Sequence, residues 1–129
     1  FAFDGNNSNP HLPHLHEFDD VVYSGTHDND TTLGWAYNES NYNKAFFEDY
    51  SGHKFNTKED SVWSVIRMAM SSVSFMCILP MQDILMLNSS ARINTPGTVD
   101  NNWRWRFEWD EIKPDVLEKI SKFLTLYQR

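Results

Sequence analysis

The stretch VVYSGTHDNDTTLGW, residues 21–35, decides how this chain is organised. It opens with β-branched and aromatic residues at positions 21–24 and then changes abruptly to small and polar ones, which is typical of a strand that ends in a loop. In parallel barrels and open α/β sheets, ligands bind at the carboxyl ends of the strands. A His-Asp pair occupies that place here. We therefore predict that His27 and Asp28 are the contribution of this chain to an active site.

Length and composition favour one domain with a substantial core. The chain has 129 residues, of which 40% are hydrophobic and 15% aromatic. Its formal net charge of −7 disfavours nucleic acid and anionic membranes as partners. The single cysteine, Cys77, cannot form an internal disulfide, so a reducing compartment is expected. No apolar run is long enough to span a bilayer, and the N-terminus does not read as a signal peptide.

Alternating strand and helix signals predict an α/β protein. Residues 1–3 read as the end of a strand, which leads us to expect a fragment of a longer protein. A short helix is expected near residues 44–50. Thr57, followed by acidic residues, predicts the N-cap of a longer helix that ends near Ser74. Its apolar positions recur every three or four residues: Val62, Val65, Ile66, Ala69, Met70 and Val73.

The second half of the chain follows the same order. Residues 75–80 are apolar throughout, as in a buried parallel strand, and a short helix or structured loop is expected at 81–87. A long loop follows at residues 88–102, and loops of that length are usually functional or disordered. The last helix is predicted at 113–128, with Pro114 in its first turn. Its expected packing stripe comprises Leu117, Ile120, Leu124 and Tyr127.

Several blocks of this sequence, in this order, resemble one family: the 4-α-glucanotransferases called amylomaltases or disproportionating enzymes, glycoside hydrolase family 77. The blocks are FAFD at 1–4, NPHLPH at 9–14, VYSGTHDNDTTLGW at 22–35, PMQD at 80–83, ARINTPGT at 91–98 and NWRWR at 102–106. Together they extend over essentially the whole chain. The blocks around His27 and Asn94 are long enough to be highly specific.

The resemblance implies the C-terminal part of a (β/α)8 TIM barrel, from the end of strand 6 through strand 8 and the terminal helix, with residues 1–129 as the C-terminal portion of the catalytic barrel. The family moves segments of α-1,4-glucan between malto-oligosaccharides by a retaining double displacement, without metal or organic cofactor. Its nucleophile and acid/base come from earlier strands, so the isolated chain is expected to be inactive. The implied partners are α-1,4-glucans and malto-oligosaccharides, with no nucleic acid and no membrane. The implied compartment is the cytoplasm, or a plastid in a plant or alga.

The resemblance also implies roles for individual residues. Asp28 matches the family aspartate that hydrogen-bonds sugar hydroxyls at the donor subsite and stabilises the transition state. His27 matches a hydroxyl contact at the same sugar, and Asn94 matches a residue that faces the substrate groove. Phe1 matches an aromatic residue near the sugars.

The sequence departs from the family pattern in two places. Leu15 and His16 replace a usual Asn-Tyr pair. Met86, Asn88 and Ser90 replace Gly, Gly and Glu, so the loop before Arg92 is expected to be stiffer or differently aimed. Neither departure touches Asp28.

Other interpretations of these residues stay open at this point. Asp28 could cap the next helix, and His27 could be a structural residue that orients its neighbour without contacting a substrate. Asp30, Thr31 and Thr32 are each competent N-caps for that short helix, and a cap explains Asp30 better than a metal ligand does. Arg92 reads as the partner of a carboxylate in or outside the site. Trp103 and Trp105, with Arg104 and Arg106, could be aromatic platforms for bases or sugars, although the acidic chain disfavours nucleic acid. We favour packing of both tryptophans on one face of an extended segment, with the arginines solvated on the other.

Two further functional classes remain as alternatives to an enzyme. The chain could be a truncated, non-catalytic remnant that binds glucan weakly. It could also be a small metalloprotein, in which His27, Asp28 and Asp30, or the three histidines at positions 11, 14 and 16, bind a metal ion.

Overall fold

The computed structural model describes the backbone of residues 1–129 and every side chain except that of Glu39. Its strands are β1 (Val21–Tyr23) and β2 (Met76–Ile78). Its α-helices are α1 (Thr32–Tyr37), α2 (Lys44–Ser51), α3 (Lys58–Ser71), α4 (Met81–Ile84) and α5 (Pro114–Tyr127). Single 3-10 turns lie at Pro13–Leu15, Glu39–Asn41, Ser89–Ala91 and Trp109–Glu111.

The two strands are parallel neighbours. Val21 pairs with Met76, and Tyr23 pairs with Ile78. Helices α1, α2 and α3 form the crossover between them, which confirms the predicted α/β class. The expectation that residues 75–80 are buried on both faces is wrong, because Met76 and Ile78 are exposed. A parallel strand is covered on both faces only between other layers, and each strand described here has a single neighbour.

Helix α3 carries the first of two hydrophobic cores. Thr57 is the predicted N-cap, and with Asp60 it forms a capping box, in which each side chain accepts from the other residue's backbone N–H. The helix buries Val62, Ile66 and Met70 against Leu33.

Helix α3 ends at Ser71, earlier than expected, and Val73 is exposed. At this end the Arg129 guanidinium donates to the carbonyls of Met70, Ser72 and Ser74, at 2.7 Å for Met70 and 2.9 Å for Ser74. The Met70 carbonyl, in the last turn of α3, is one that a helix end leaves unpaired.

The second core is aromatic and includes the start of the chain. Phe3 stacks on Phe47 with ring centroids 3.9 Å apart, and Trp35 packs against both rings. The prediction of a strand at residues 1–3 is wrong, because Ala2 and Phe3 lie in a turn. The Phe3 carbonyl accepts from Asn43 N at 2.7 Å instead of from a neighbouring strand.

Helix α5 begins at Pro114 as predicted, but it packs through a different face. Phe123 is buried in the first core, beside Trp63, whereas Leu117 and Leu124 are exposed. Ile120 and Tyr127 do pack against that core. Helices α3 and α5 are the longest, with 14 residues each, and no helix in the described part of the chain is long and apolar enough to cross a membrane.

Candidate active site

A buried carboxylate fixes the loop that follows β1. Asp83, in α4, is 1% exposed and accepts from Ser24 Oγ at 2.6 Å, Thr32 N at 2.7 Å and Thr32 Oγ1 at 2.7 Å. Hydrogen bonds to an ionised acceptor are the stronger class. Asp83 thus holds both ends of the loop that carries His27 and Asp28. Sequence reasoning assigned it no role, although it lies in the PMQD block.

Within that loop, Asn29 closes a tight turn. Its Oδ1 accepts from Thr26 N at 2.8 Å and Thr26 Oγ1 at 2.9 Å, and its own N–H donates to Thr26 O at 3.1 Å. The turn leaves the side chains of His27 and Asp28 each 51% exposed. The pair is therefore held by its backbone and presented to solvent.

The structure selects one of the three candidate N-caps for α1. Thr31, rather than Asp30, is the N-cap, and its Oγ1 accepts from Gly34 N at 3.0 Å. Asp30 Oδ2 instead accepts from Ser89 Oγ at 2.7 Å, which ties this loop to the long loop after β2. A Cβ on Gly34 would lie 2.7 Å from Asp30 Oδ1 and closer still to Ser89 Oγ. Only glycine fits between those two side chains without displacing one of them.

Asp28 and Asn94, 66 residues apart, meet directly. Asn94 Nδ2 donates to Asp28 Oδ1 at 2.6 Å. His27 Nε2 lies 3.4 Å from the same oxygen. Asp28 does not cap α1, because Thr31 does. The structure therefore brings together three of the four predicted site residues.

Arg92 joins the two loops through backbone groups. Its Nη2 donates to the Asp28 carbonyl at 2.6 Å, and its Nε donates to the Asn94 carbonyl at 2.8 Å. The expectation of a carboxylate partner for Arg92 is wrong, since no described carboxylate forms an ion pair with it. Arg92 instead fixes the backbone on both sides of the contact between Asp28 and Asn94.

The fourth predicted residue, Phe1, lies apart from this cluster. It is 86% exposed, and its ring centroid is 5.6 Å from that of His11. Phe1, Asp28 and Arg92 all line one open cleft of about 700 Å³, which also runs along β1.

The aromatic segment after the long loop divides into two parts. Trp105 and Phe107 stack on each other at 5.7 Å, consistent with the predicted packing role. Trp103 does not fit that prediction: it is 58% exposed, and its ring centroid lies 4.8 Å from that of His27. The sequence favoured packing over an aromatic platform for Trp103, whereas the structure places its ring beside His27.

The described histidines have separate partners. His14 Nδ1 contacts Tyr50 OH at 2.9 Å, and His16 Nδ1 contacts Ser72 Oγ at 2.7 Å. Among the side chains that the structure describes, no group of three His, Cys, Asp or Glu is arranged to hold a metal ion. The geometry gives no support to the metalloprotein alternative.

The departures from the family pattern affect the backbone of the second loop. Met86 has a φ of 55°, a left-handed conformation that glycine adopts without a Cβ penalty. Asn88 Oδ1 accepts from Ser90 N at 3.0 Å and closes the 3-10 turn Ser89–Ala91. This turn places Ser89 against Asp30 and sets the start of the Arg92–Asn94 segment.

Comparisons with known proteins show the family to which this chain belongs. The sequence model of the family described as 4-alpha-glucanotransferase matches residues 1–112. A chloroplastic/amyloplastic 4-alpha-glucanotransferase of Oryza sativa subsp. japonica is 46% identical over 133 residues, which cover 100% of this chain and 22% of that protein. A 4-alpha-glucanotransferase of Thermus thermophilus is 42% identical over 120 residues, covering 89% of this chain and 24% of the relative.

A solved structure is similar over nearly the full chain. The amylomaltase from Streptococcus agalactiae in complex with acarbose matches with a TM-score of 0.87 and 29% sequence identity, over 99% of this chain and 26% of that one. The chain belongs to glycoside hydrolase family 77, the 4-alpha-glucanotransferases. It spans about a quarter of the length of the relatives it matches.

Proposed function

We propose that residues 1–129 are the C-terminal portion of a 4-alpha-glucanotransferase barrel, in which Asp28 stabilises the transition state of glucan transfer. The complete enzyme transfers segments of α-1,4-glucan between malto-oligosaccharides. The observation that carries this proposal is the contact of 2.6 Å between Asn94 Nδ2 and Asp28 Oδ1, at the carboxyl end of a parallel strand and beside an open cleft.

In the proposed barrel, β1 is strand 7, β2 is strand 8 and α5 is the terminal helix. The exposed faces of Val21, Tyr23, Met76 and Ile78 support this assignment, since isolated apolar strands of this kind need further layers to cover them. Residues 1–3 would follow strand 6 as a turn. The carboxyl ends of β1 and β2 then face the same rim, where barrel enzymes hold their substrates.

The reaction proceeds with retention through a glycosyl-enzyme. A carboxylate nucleophile attacks the anomeric carbon while a second carboxyl group protonates the departing glycosidic oxygen. The 4-hydroxyl of an acceptor sugar then displaces the enzyme and gives its proton to that second group. Both groups belong to the part of the enzyme that precedes this chain.

The role proposed for Asp28 is electrostatic. As the anomeric bond breaks, positive charge develops on the sugar ring, and its hydroxyls become better donors to a carboxylate. Asn94 occupies one side of Asp28 Oδ1, which leaves the other lone pairs for substrate. His27, half exposed beside the same oxygen, contacts a hydroxyl of the same sugar, and Phe1 contributes an aromatic wall to the cleft.

The proposed partners are therefore malto-oligosaccharides, and the mechanism requires neither a metal nor an organic cofactor. Carboxyl groups and sugar hydroxyls supply every proton transfer.

The test is the reaction of the full-length protein with maltotriose. Transfer produces glucose together with oligosaccharides longer than the substrate, whereas hydrolysis yields only shorter sugars. Asp28→Asn should lower kcat by about a thousandfold, the scale of losing one charge-stabilising group. Asp100→Asn, an exposed carboxylate in the long loop, is the matched control. A full-length protein that forms no longer sugars would overturn the proposal, as would an Asp28→Asn variant with normal turnover.

A further inference from the structure

Trp103 lies beside the proposed sugar site without being part of either hydrophobic core. It is 58% exposed, and its indole is 4.8 Å from the His27 imidazole, measured between centroids, with the rings tilted by 40°. Trp35 and Trp63, in contrast, are only partly exposed and pack against the two cores. Burial of its own side chain therefore does not account for the position of Trp103.

The backbone holds Trp103 in a conformation that such a residue rarely adopts. Its φ is 62°, in the left-handed region, where a bulky side chain is an outlier. Its N–H donates to the Ile93 carbonyl at 2.7 Å, and the preceding Asn102 Oδ1 accepts from Thr95 N at 2.9 Å. Both bonds tie Trp103 to the segment that carries Asn94. Strained residues of this kind cluster at ligand sites.

An indole in this place has the right chemistry for sugar. One face of a pyranose ring carries mainly C–H groups, and burying them against a flat aromatic surface removes apolar area from water. His27 and Asp28 supply the polar contacts that such a face cannot. A site lined by aromatic surface with a few directed polar groups is the usual composition of a small-molecule pocket.

We propose that Trp103 is a substrate-binding residue that stacks on a glucose unit next to the one contacted by His27 and Asp28. This proposal rests on the proposed function. It assigns Trp103 to binding, and Asp28 to the chemical step.

The experiment compares full-length protein carrying Trp103→Asn, Trp103→Phe or Trp109→Asn, with maltotriose as substrate. Asn tolerates the left-handed conformation but has no aromatic face. Phe keeps an aromatic face. Trp109, 79% exposed on the same segment and packed on Phe107 rather than His27, is the matched control.

Trp103→Asn should raise KM by at least about fivefold and leave kcat within about twofold, since loss of a stacking contact acts mainly on binding. Trp103→Phe should keep KM within about threefold of the parent protein, and Trp109→Asn should change neither constant. The dissociation constant of acarbose should rise in parallel with KM. Trp103 has a strained backbone conformation, and its side chain buries little surface. The melting temperature of Trp103→Asn should therefore lie no more than about 2 °C below that of the parent protein.

Three results would overturn the assignment. An unchanged KM in Trp103→Asn removes Trp103 from the binding site. A loss confined to kcat means that Trp103 acts only by orienting His27, and a large fall in melting temperature means that its role is structural. If the parent protein itself cannot transfer glucosyl units, the proposed function is overturned, and this outcome is distinct from the three above.

Discussion

Asn94 Nδ2 donates to Asp28 Oδ1 over 2.6 Å, and this contact joins the candidate site residues of the loop after β1 to those of the loop after β2. The donor is an amide and the acceptor is a carboxylate, so the bond is charge-assisted and short. It orients Asp28 without neutralising it. The contact makes the geometry of the site depend on two segments that are distant in sequence.

Replacing Asn94 should therefore impair catalysis more than folding. In the full-length protein, Asn94→Ala removes a hydrogen bond to a charged group, worth about 1.5–3 kcal/mol, and we expect kcat/KM to fall by about ten- to a hundredfold. Steady-state kinetics with maltotriose provide the measurement. The control is Thr95→Ala, which keeps the hydrogen bond from the backbone N–H of residue 95 to Asn102 Oδ1. Equal losses in the two variants would contradict the role of the Asn94 side chain.

Asp83 should govern the rigidity of the loop at residues 24–32. Asp83→Ala leaves three donors from Ser24 and Thr32 without their acceptor, at a cost of about 3 kcal/mol. We expect amide exchange of Thr32, whose N–H bonds Asp83 Oδ1, to accelerate about a hundredfold in hydrogen–deuterium exchange. Ser24→Ala removes one donor and should have a smaller effect. Unchanged protection of Thr32 in Asp83→Ala would show that the loop is held by other contacts.

Gly34 should not tolerate a methyl group, although alanine favours helices by up to about 1 kcal/mol. In Gly34→Ala the added Cβ meets Ser89 Oγ and Asp30 Oδ1, and overpacking of this kind costs about 1–3 kcal/mol. The net result should be a lower melting temperature. Removing the hydroxyl in Gly34→Ala/Ser89→Ala should recover part of the loss. If Gly34→Ala alone is as stable as the parent, the close approach does not constrain this position.

The carboxyl group of Glu48 should make the free energy of unfolding depend on pH. The Phe55 N–H donates to its Oε1 at 3.0 Å and Lys54 Nζ lies 3.0 Å from Oε2, and these contacts lower the pKa of the Glu48 carboxyl. A carboxyl whose pKa is lower in the folded state contributes stability above its ordinary pKa of 4.5 and loses it as the pH falls through the folded value. Glu48→Gln should therefore melt below the parent at pH 7.

The difference in melting temperature between parent and Glu48→Gln should shrink as the pH is lowered below 4.5. A gap that stays constant from neutral to acid pH would mean that the charge of Glu48 is not what stabilises the fold.

Local signals in the sequence predicted the elements that depend on local chemistry. The strand predicted at residues 21–24 and the Thr57 N-cap involve neighbours within a few positions, and both were confirmed. Residues 1–3 were interpreted wrongly because apolar character alone does not separate a strand from a turn that packs into a core.

The packing face of α5 shows a second limit. Leu117 and Leu124 match a helical stripe as well as Phe123 does, and the periodicity cannot choose between overlapping faces. Contact with Trp63 in α3 selects Phe123, and that contact depends on tertiary structure.

The candidate site was predicted only in part, because some of its contacts also depend on tertiary structure. His27 and Asp28 follow directly from the end of β1, and the family resemblance supplied Asn94. Asp83 lies 51 residues from Thr32, and only the parallel pairing of β1 with β2 brings them together. For Trp103 the sequence favoured packing over an aromatic platform, because its alternation with Trp105 fits an extended packing segment. Its left-handed backbone, which the sequence does not reveal, places its ring beside His27.

The guanidinium of Arg92, bonded to the carbonyls of Asp28 and Asn94, has a consequence for engineering this family. A segment transferred from one homologue into another keeps its own backbone conformation. Here the backbone of the loop after β2 is hydrogen-bonded through Arg92 to the loop after β1. Chimeras that exchange residues 88–102 should keep Arg92 and should exchange residues 24–32 at the same time. The smallest unit that can be transferred therefore comprises both loops.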